Sequence, residues 1–302
     1  MNSIFEDIKN TFYKTGNGLN QVILINVAAF VVLILTKVFL TISGFAHIYN
    51  ILTNYIFLPA SIQDFIYKPW TLITYFFCHE SFFHILFNML FLYWFGMLIH
   101  EFLGSRRLIN LYILGGLSGG LIYLLVYNTV PFFAQKAGYT ALLGASGGVY
   151  AVVFGAATLL PDYTFFLMFL GPVKIKYIAL FYLLLSIAES IGTNAGGNIA
   201  HLGGIAIGCL YIVQLRQGND WGKPIEKIFA GINDMFKSKP KIKVTHRNTE
   251  PKKTIHTQGS AYEDVSQTEI DTILDKISKF GYEKLSKEEK QKLFKASQST
   301  NI

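Results

Sequence analysis

The sequence predicts an all-α membrane protein: a bundle of six transmembrane helices followed by a helical cytoplasmic tail. Two observations of composition and one of pattern carry this. Hydrophobic residues make up 52% of the 302 and charged residues only 15%, where ordinary globular chains hold about a quarter charged. The shortage is uneven, because most Lys, Asp and Glu lie after Gln217. Finally, six apolar runs approach the roughly 20 residues that a helix needs to cross a bilayer.

The runs fall at about 20–43, 82–99, 108–127, 146–160, 177–191 and 199–215. The last three are short, which suits helices walled in by their neighbours. The stretch YTFFLMFLGPVKIK between runs four and five is apolar but broken at Gly171-Pro172. Proline interrupts a helix interior, so this stretch is expected to be an interfacial connection. The organisation expected is an N-terminal segment at 1–19, a six-span domain at 20–216, a basic flexible linker at 217–265 and a small helical segment at 266–302.

Lys and Arg set the orientation. Lys9, Lys14, Arg106, Arg107, Lys174, Lys176 and the basic tail fall on one side of the alternation. The other side holds little beyond Lys68 and Lys136. Both termini are therefore expected in the cytoplasm, with the inner membrane of a bacterium as the setting. The first twenty residues carry charges and no cleavable signal pattern. Cys78 and Cys209, the two cysteines, suggest packing and no disulfide framework. The net charge of +7 comes mostly from tail and inner loops. No basic-aromatic patch or nucleotide fingerprint points to a nucleic-acid partner, and neither a metal nor a cofactor is expected.

In this topology runs two, four and six all enter from the external side. Each then opens on polar residues at one depth: His84 and Asn88, Ser146, and His201. Such groups inside a span are functional candidates. Each alone also has a packing explanation. A serine bonds back to a carbonyl, a histidine bridges helices, and His84 and Asn88 share one helix face. Together they supply the nucleophile, base and donors that acyl transfer needs. Gly144 and Gly147 give run four a narrow face, and Gly204 and Gly208, four apart, give run six another. Small residues at that spacing let helices close on each other. Gly144-Ala145-Ser146-Gly147-Gly148 also spells the G-x-S-x-G of soluble hydrolases. That elbow needs a preceding strand and an acid between Ser and His, whereas QKAGYT and a short apolar stretch lead into Ser146.

The segments HESFFHILFNMLFLYWFG, LGSRRLINLYILGG, GASGGVYAV and NIAHLGGIAIG, in that order, resemble the rhomboid intramembrane serine proteases. The likeness runs from about Lys68 to Leu215. It implies Ser146 as nucleophile and His201 as general base, a dyad without an acid. It also implies that Tyr150 packs on the base, that His84 and Asn88 flank the oxyanion hole, and that His79 supports them. Gly204 and Gly208 match the close-packing glycines. The substrates implied are single-span membrane proteins in the lipid bilayer. Glycines 192, 196 and 197 suggest a loosened gate at the outer end of run five. Two positions depart from the pattern. Thr71 follows Trp70 where many rhomboids carry Arg, and His100 precedes Glu101 where the acid often sits one residue earlier. The alternatives are an inactive rhomboid-like protein that binds membrane clients, and a transporter, for which the chain lacks internal repeats.

In the tail, Ser266-Gln267-Thr268-Glu269 and Ser286-Lys287-Glu288-Glu289 read as capping boxes. Ile270, Ile273, Leu274 and Ile277 share one face of the first helix, and Gly281 stops it. This helix pair is expected to fold on itself or to dock a cytoplasmic partner.

Overall fold

The computed structural model describes residues 16–167, 170–236 and 267–299. The chain divides into two units, Met1–Lys239 and Pro240–Ile302. In the first unit six apolar helices follow in order: α1 Gly18–Ile42, α2 Phe82–Leu103, α3 Ser105–Thr129, α4 Ser146–Leu159, α5 Ile175–Ala188 and α6 Ala195–Arg216. Of these, α1, α2, α3 and α6 are long and apolar enough to cross a membrane. The other two have 14 residues each, or about 21 Å of helix. The shortness of α4 goes with its place, since Val149, Ala151, Val152, Val153 and Ala156 are all buried. A helix enclosed by others need not match the bilayer thickness.

Side-chain contacts show which ends lie together. The Gly18 N–H donates to Ser105 Oγ at 3.1 Å. Arg216 Nη2 donates to the carbonyls of Thr158 and Leu159 at 3.0 and 3.1 Å. Arg107 pairs with Asp220 at 3.4 Å. The starts of α1 and α3 and the ends of α4 and α6 therefore share one end of the bundle. At the other end Asn128 donates to the Ala60 carbonyl at 2.7 Å, and Ser186, near the end of α5, reaches His201, near the start of α6. Successive helices run in opposite directions.

The segment between α1 and α2 holds three short helices, Ala46–Asn54, Ile62–Tyr67 and Thr71–Thr74. Its bonding is internal. Trp70 Nε1 donates to the Tyr55 carbonyl at 2.9 Å, and Thr71 Oγ1 to the Lys68 carbonyl at 2.6 Å. Thr71 is fully buried, so the threonine found in place of the pattern's arginine closes a turn locally.

The strictly all-α expectation needs correction, because two small antiparallel sheets are present. Strand β1 Leu58–Pro59 pairs with β2 Ala141–Leu142, with Leu58 opposite Leu142. Strand β3 Thr164–Leu167 pairs with β4 Gly171–Lys174, so the expected interfacial connection is a β-hairpin. The Gly-Pro step that forbids a helix is tolerated on an edge strand. Phe165 anchors the hairpin on Phe95 of α2, with ring centroids 5.1 Å apart.

A second correction concerns the expected linker at 217–265. Its first part folds as α7 Lys223–Phe236. Asn110 Nδ2 of α3 donates to Glu226 Oε1 of this helix at 2.9 Å. The rest of that linker lies outside the described residues, as does most of the expected N-terminal segment.

The second unit contains α8 Gln267–Phe280 and α9 Lys287–Ser299. Gly281 ends α8 with φ +79°, a conformation that suits glycine. The capping box of α9 is formed in both directions: Glu289 N–H donates to Ser286 Oγ at 3.2 Å, and Ser286 N–H to Glu289 Oε2 at 2.7 Å. The first expected box begins at Ser266, outside the described residues. Hydrogen bonds from Lys276 and from the Ser286 N–H hold the Glu289 carboxyl below its ordinary range. A depressed folded value means stability that is present above the unfolded carboxylate range and lost as pH falls through the folded value. Ser286→Ala should cost about 1 kcal/mol. Hydrogen exchange of the first α9 amides in the full chain should then quicken about fivefold, and acidification should reproduce part of the effect.

Candidate active site

Ser146 is the first residue of α4, and the chain before it is held tightly. Strand β2 ties it to β1, and the Gly144 N–H donates to the Tyr75 carbonyl at 3.0 Å. Gly144 itself has φ +120°. A Cβ there would lie 2.9 Å from His84 Nε2 and 3.9 Å from Ser146 Oγ. Gly144 is thus a turn glycine that admits the His84 ring, not the helix-packing glycine expected from the sequence. Next, the Ala145 N–H donates to His79 Nε2 at 3.4 Å. His79, fully buried, therefore supports the loop rather than facing the cavity. The first N–H groups of α4 have no partner within the helix, and the helix dipole favours negative charge there.

His201 stands in the second turn of α6. Its ring stacks on Tyr150, one turn below Ser146, with centroids 4.0 Å apart and planes at 11°. Its Nδ1 lies 3.3 Å from Ser186 Oγ of α5. Ser186 is 1% exposed. With Nδ1 so engaged, Nε2 is the nitrogen left for chemistry. Sequence reasoning missed Ser186, because one serine in an apolar run carries no signal of its partner.

The glycines explain why α4 and α6 can lie this close. A Cβ on Gly204 would fall onto the Gly147 carbonyl oxygen, and one on Gly208 would lie 2.5 Å from the Ala151 carbonyl oxygen. A Cβ on Gly147 would lie 3.2 Å from the Gly115 carbonyl oxygen of α3 and 3.7 Å from the Ala200 carbonyl oxygen of α6, so this glycine admits both neighbours. Gly196 and Gly197 belong to the first turn of α6, not to the outer end of α5. Gly196 packs on Tyr123, where a Cβ would lie 2.9 Å from the ring, so neither loosens a gate in α5.

The opposite wall is α2. Ser81 caps it, accepting from the His84 N–H at 3.3 Å. The His79 and His84 rings meet edge to face at 4.9 Å. Asn88 Nδ2 donates to the His84 carbonyl at 2.9 Å, which leaves its second amide hydrogen. Ser146, His201, His84, Asn88 and Tyr150 all line one cavity of about 880 Å³, open at the end of the bundle that holds the start of α2, α4 and α6. Among the described contacts, no hydrogen bond joins Ser146 to His201. Such bonds are often long before substrate arrives. Both cysteines are free, and among the described residues no cluster of metal-ligating side chains occurs.

Comparison with known proteins adds the family. A family model described as the Rhomboid domain matches residues 67–218. Residues 253–299 match a family of unknown function, DUF6576. Among curated proteins, RHOMBOID-like protein 12, mitochondrial, of Arabidopsis thaliana is 35% identical over 159 residues, 49% of this chain and 47% of that protein. Rhomboid-like protein 16, chloroplastic, of the same plant is 29% identical over 179 residues, 55% of this chain and 53% of that one. Rhomboid protein 1, mitochondrial, of Saccharomyces cerevisiae is 29% identical over 162 residues, 49% of this chain and 42% of that one. The chain spans about half the length of these relatives. The match takes in α2 through α6 and with them every residue that lines the Ser146 cavity. This is a membrane protein, and it belongs to the rhomboid family.

Proposed function

We propose that this chain is an intramembrane serine endopeptidase that cleaves single-span membrane proteins in or near their membrane helix. The observation that carries the reading is the setting of His201. Its ring is clamped by Tyr150 and its Nδ1 is held by Ser186, in the same cavity that holds Ser146. A client-binding protein without catalysis has no need of an oriented histidine that shares a cavity with a serine.

The chemistry follows from that orientation. His201 Nε2 takes the proton of Ser146 Oγ as the oxygen attacks the scissile carbonyl carbon. The resulting oxyanion is stabilised by His84, Asn88 and the Ser146 N–H. His201 passes the proton to the leaving amine as the C–N bond breaks. Water then attacks the acyl-enzyme, gives a proton to His201, and Ser146 regains its hydrogen. Ser186 replaces the acid of a triad as the group that fixes the imidazole.

All six apolar helices are proposed to span, with α4 and α5 shielded by the others. Arg106, Arg107, Lys174, Lys176 and Arg216 gather at the end away from Ser146, which supports a cytoplasmic position for that end and for both termini. A bacterial inner membrane is the proposed setting. Its support is this charge pattern, while the curated relatives carry mitochondrial and chloroplastic names.

The test is cleavage of a fluorescent single-span reporter in proteoliposomes. Wild type should cut it and Ser146→Ala should not. Uncut reporter with wild type, in protein shown to be folded, would favour the client-binding alternative. In the same assay Ser186→Ala should lower kcat about tenfold, the value of one hydrogen bond, and leave KM unchanged. Ser186→Thr, which keeps the hydroxyl, should retain most of the rate.

A further inference from the structure

A second cavity, also of about 880 Å³, opens at the other end of the bundle between α1, α3 and α7. Its walls are apolar: Val22 and Ile25 of α1, Ile109 and Ile113 of α3, and Phe229 of α7. Its rim carries Arg106, Lys223 and Lys227. The rim's acid, Glu226, accepts from Asn110 Nδ2 at 2.9 Å. The nearby Asp220 is engaged with Arg107 at 3.4 Å, Tyr211 Oη at 3.0 Å and the Gly222 N–H at 2.9 Å. Among the described residues no carboxylate pairs with Arg106, Lys223 or Lys227.

The joint that places α7 is a built one. Gly222 lies so close to Asn110 that a Cβ would collide with its side-chain amide, and Asp220 draws the chain back onto α3 through Arg107. The helix then continues with Ile228 and Phe229 exposed on one side and lysines one turn apart on another. An amphipathic helix of this kind lies in a membrane interface, and lysine stems reach polar headgroups while their roots stay in apolar surroundings.

We propose that this slot binds one anionic phospholipid of the surrounding leaflet. The phosphate rests against Arg106, Lys223 and Lys227, and an acyl chain enters among Val22, Ile109 and Ile113. From Arg106 to Ile113 the slot follows α3 for roughly 10 Å, enough for the upper part of a chain. Three cations against the single carboxylate of Glu226 leave the rim net positive over an apolar cleft, which complements a lipid that is anionic at its head and apolar below. A zwitterionic lipid offers no net charge to this rim, and a soluble anion leaves the apolar walls uncovered. The site is separate from the Ser146 cavity and does not depend on the proposed protease activity.

Native mass spectrometry of the full-length chain in mild detergent tests this with dioleoyl phosphatidylglycerol and dioleoyl phosphatidylcholine. One phosphatidylglycerol per chain should be retained, at least about tenfold more tightly than phosphatidylcholine. Each basic residue near a membrane surface is worth about fivefold in binding. The triple variant Arg106→Gln, Lys223→Gln, Lys227→Gln should therefore weaken retention roughly 100-fold, whereas Lys223→Arg with Lys227→Arg should keep it. Ala230→Trp adds bulk to the slot without changing charge and should also displace the lipid. Equal retention of the two lipids, or a triple variant that binds like wild type, would overturn the proposal. So would unchanged retention in Ala230→Trp, or displacement by glycerophosphate as effective as by whole lipid.

Discussion

Ser146→Ala should lower cleavage of a membrane substrate by at least about 10,000-fold, and His201→Ala should do nearly the same. The expected size follows from enzymes whose serine and histidine act as one unit; 10,000-fold corresponds to about 5.5 kcal/mol of activation free energy. Without the hydroxyl there is no acyl-enzyme. Without the imidazole the cavity loses the one ring whose orientation is set by Ser186 and Tyr150, while His79 is engaged with the Ala145 N–H. The double variant should be no slower than either single one. The rates are read from the initial slope of reporter cleavage in proteoliposomes. An additive double variant would show that the two residues act independently.

The second large effect is structural. Gly204→Val places side-chain atoms on the Gly147 carbonyl, closer than atoms can approach. Backbone cannot rotate out of the way, so α4 and α6 must part. Overpacking of this kind costs about 3 kcal/mol at the upper end of its usual range, and Tm should fall by roughly 10 °C. Parting the helices also moves His201 away from Ser146, and a shift of about 1 Å can cost 100-fold in rate. Gly208→Val is the control. It meets the Ala151 carbonyl oxygen at a comparable closeness but sits one turn further from the cavity. Stability should fall as much and kcat less. Thermal melts in detergent alongside reporter kinetics separate the two, and equal loss of kcat in both variants would argue against helix spacing as the factor that sets the dyad.

The six apolar helices were legible because hydropathy over 14 or more residues leaves few other structures in a bilayer. Their starts and stops agree within a few residues of the expected runs. The polar residues were legible for the complementary reason: His84, Asn88, Ser146 and His201 interrupt runs that are otherwise apolar, and the structure brings all four to one cavity. What the sequence hid was pairing at long range. Nothing near Ser186 says that His201 will face it, and nothing near Asn26 says that its amide will meet the Tyr112 hydroxyl at 3.0 Å. The same holds for β1 and β2, two residues each, more than 80 positions apart in the chain. The role of Gly144 is hidden in the sequence, because its positive φ is a property of the turn, not of composition. Helix α7 is a different case. Its signal was present, with Pro224 in the first turn and Ile225, Ile228 and Phe229 at helical spacing. The charge of the neighbouring stretch masks it, because a basic segment also suits a linker.

The most direct measurement is the reaction of the intact chain with a fluorophosphonate, followed by mass-spectrometric location of the adduct. Run on wild type, Ser146→Ala and His201→Ala, it reads the reactivity of one hydroxyl and needs no substrate. The dyad predicts a single adduct on Ser146 in wild type and none in either variant. An adduct elsewhere, or labelling of Ser146 that persists without His201, would contradict it.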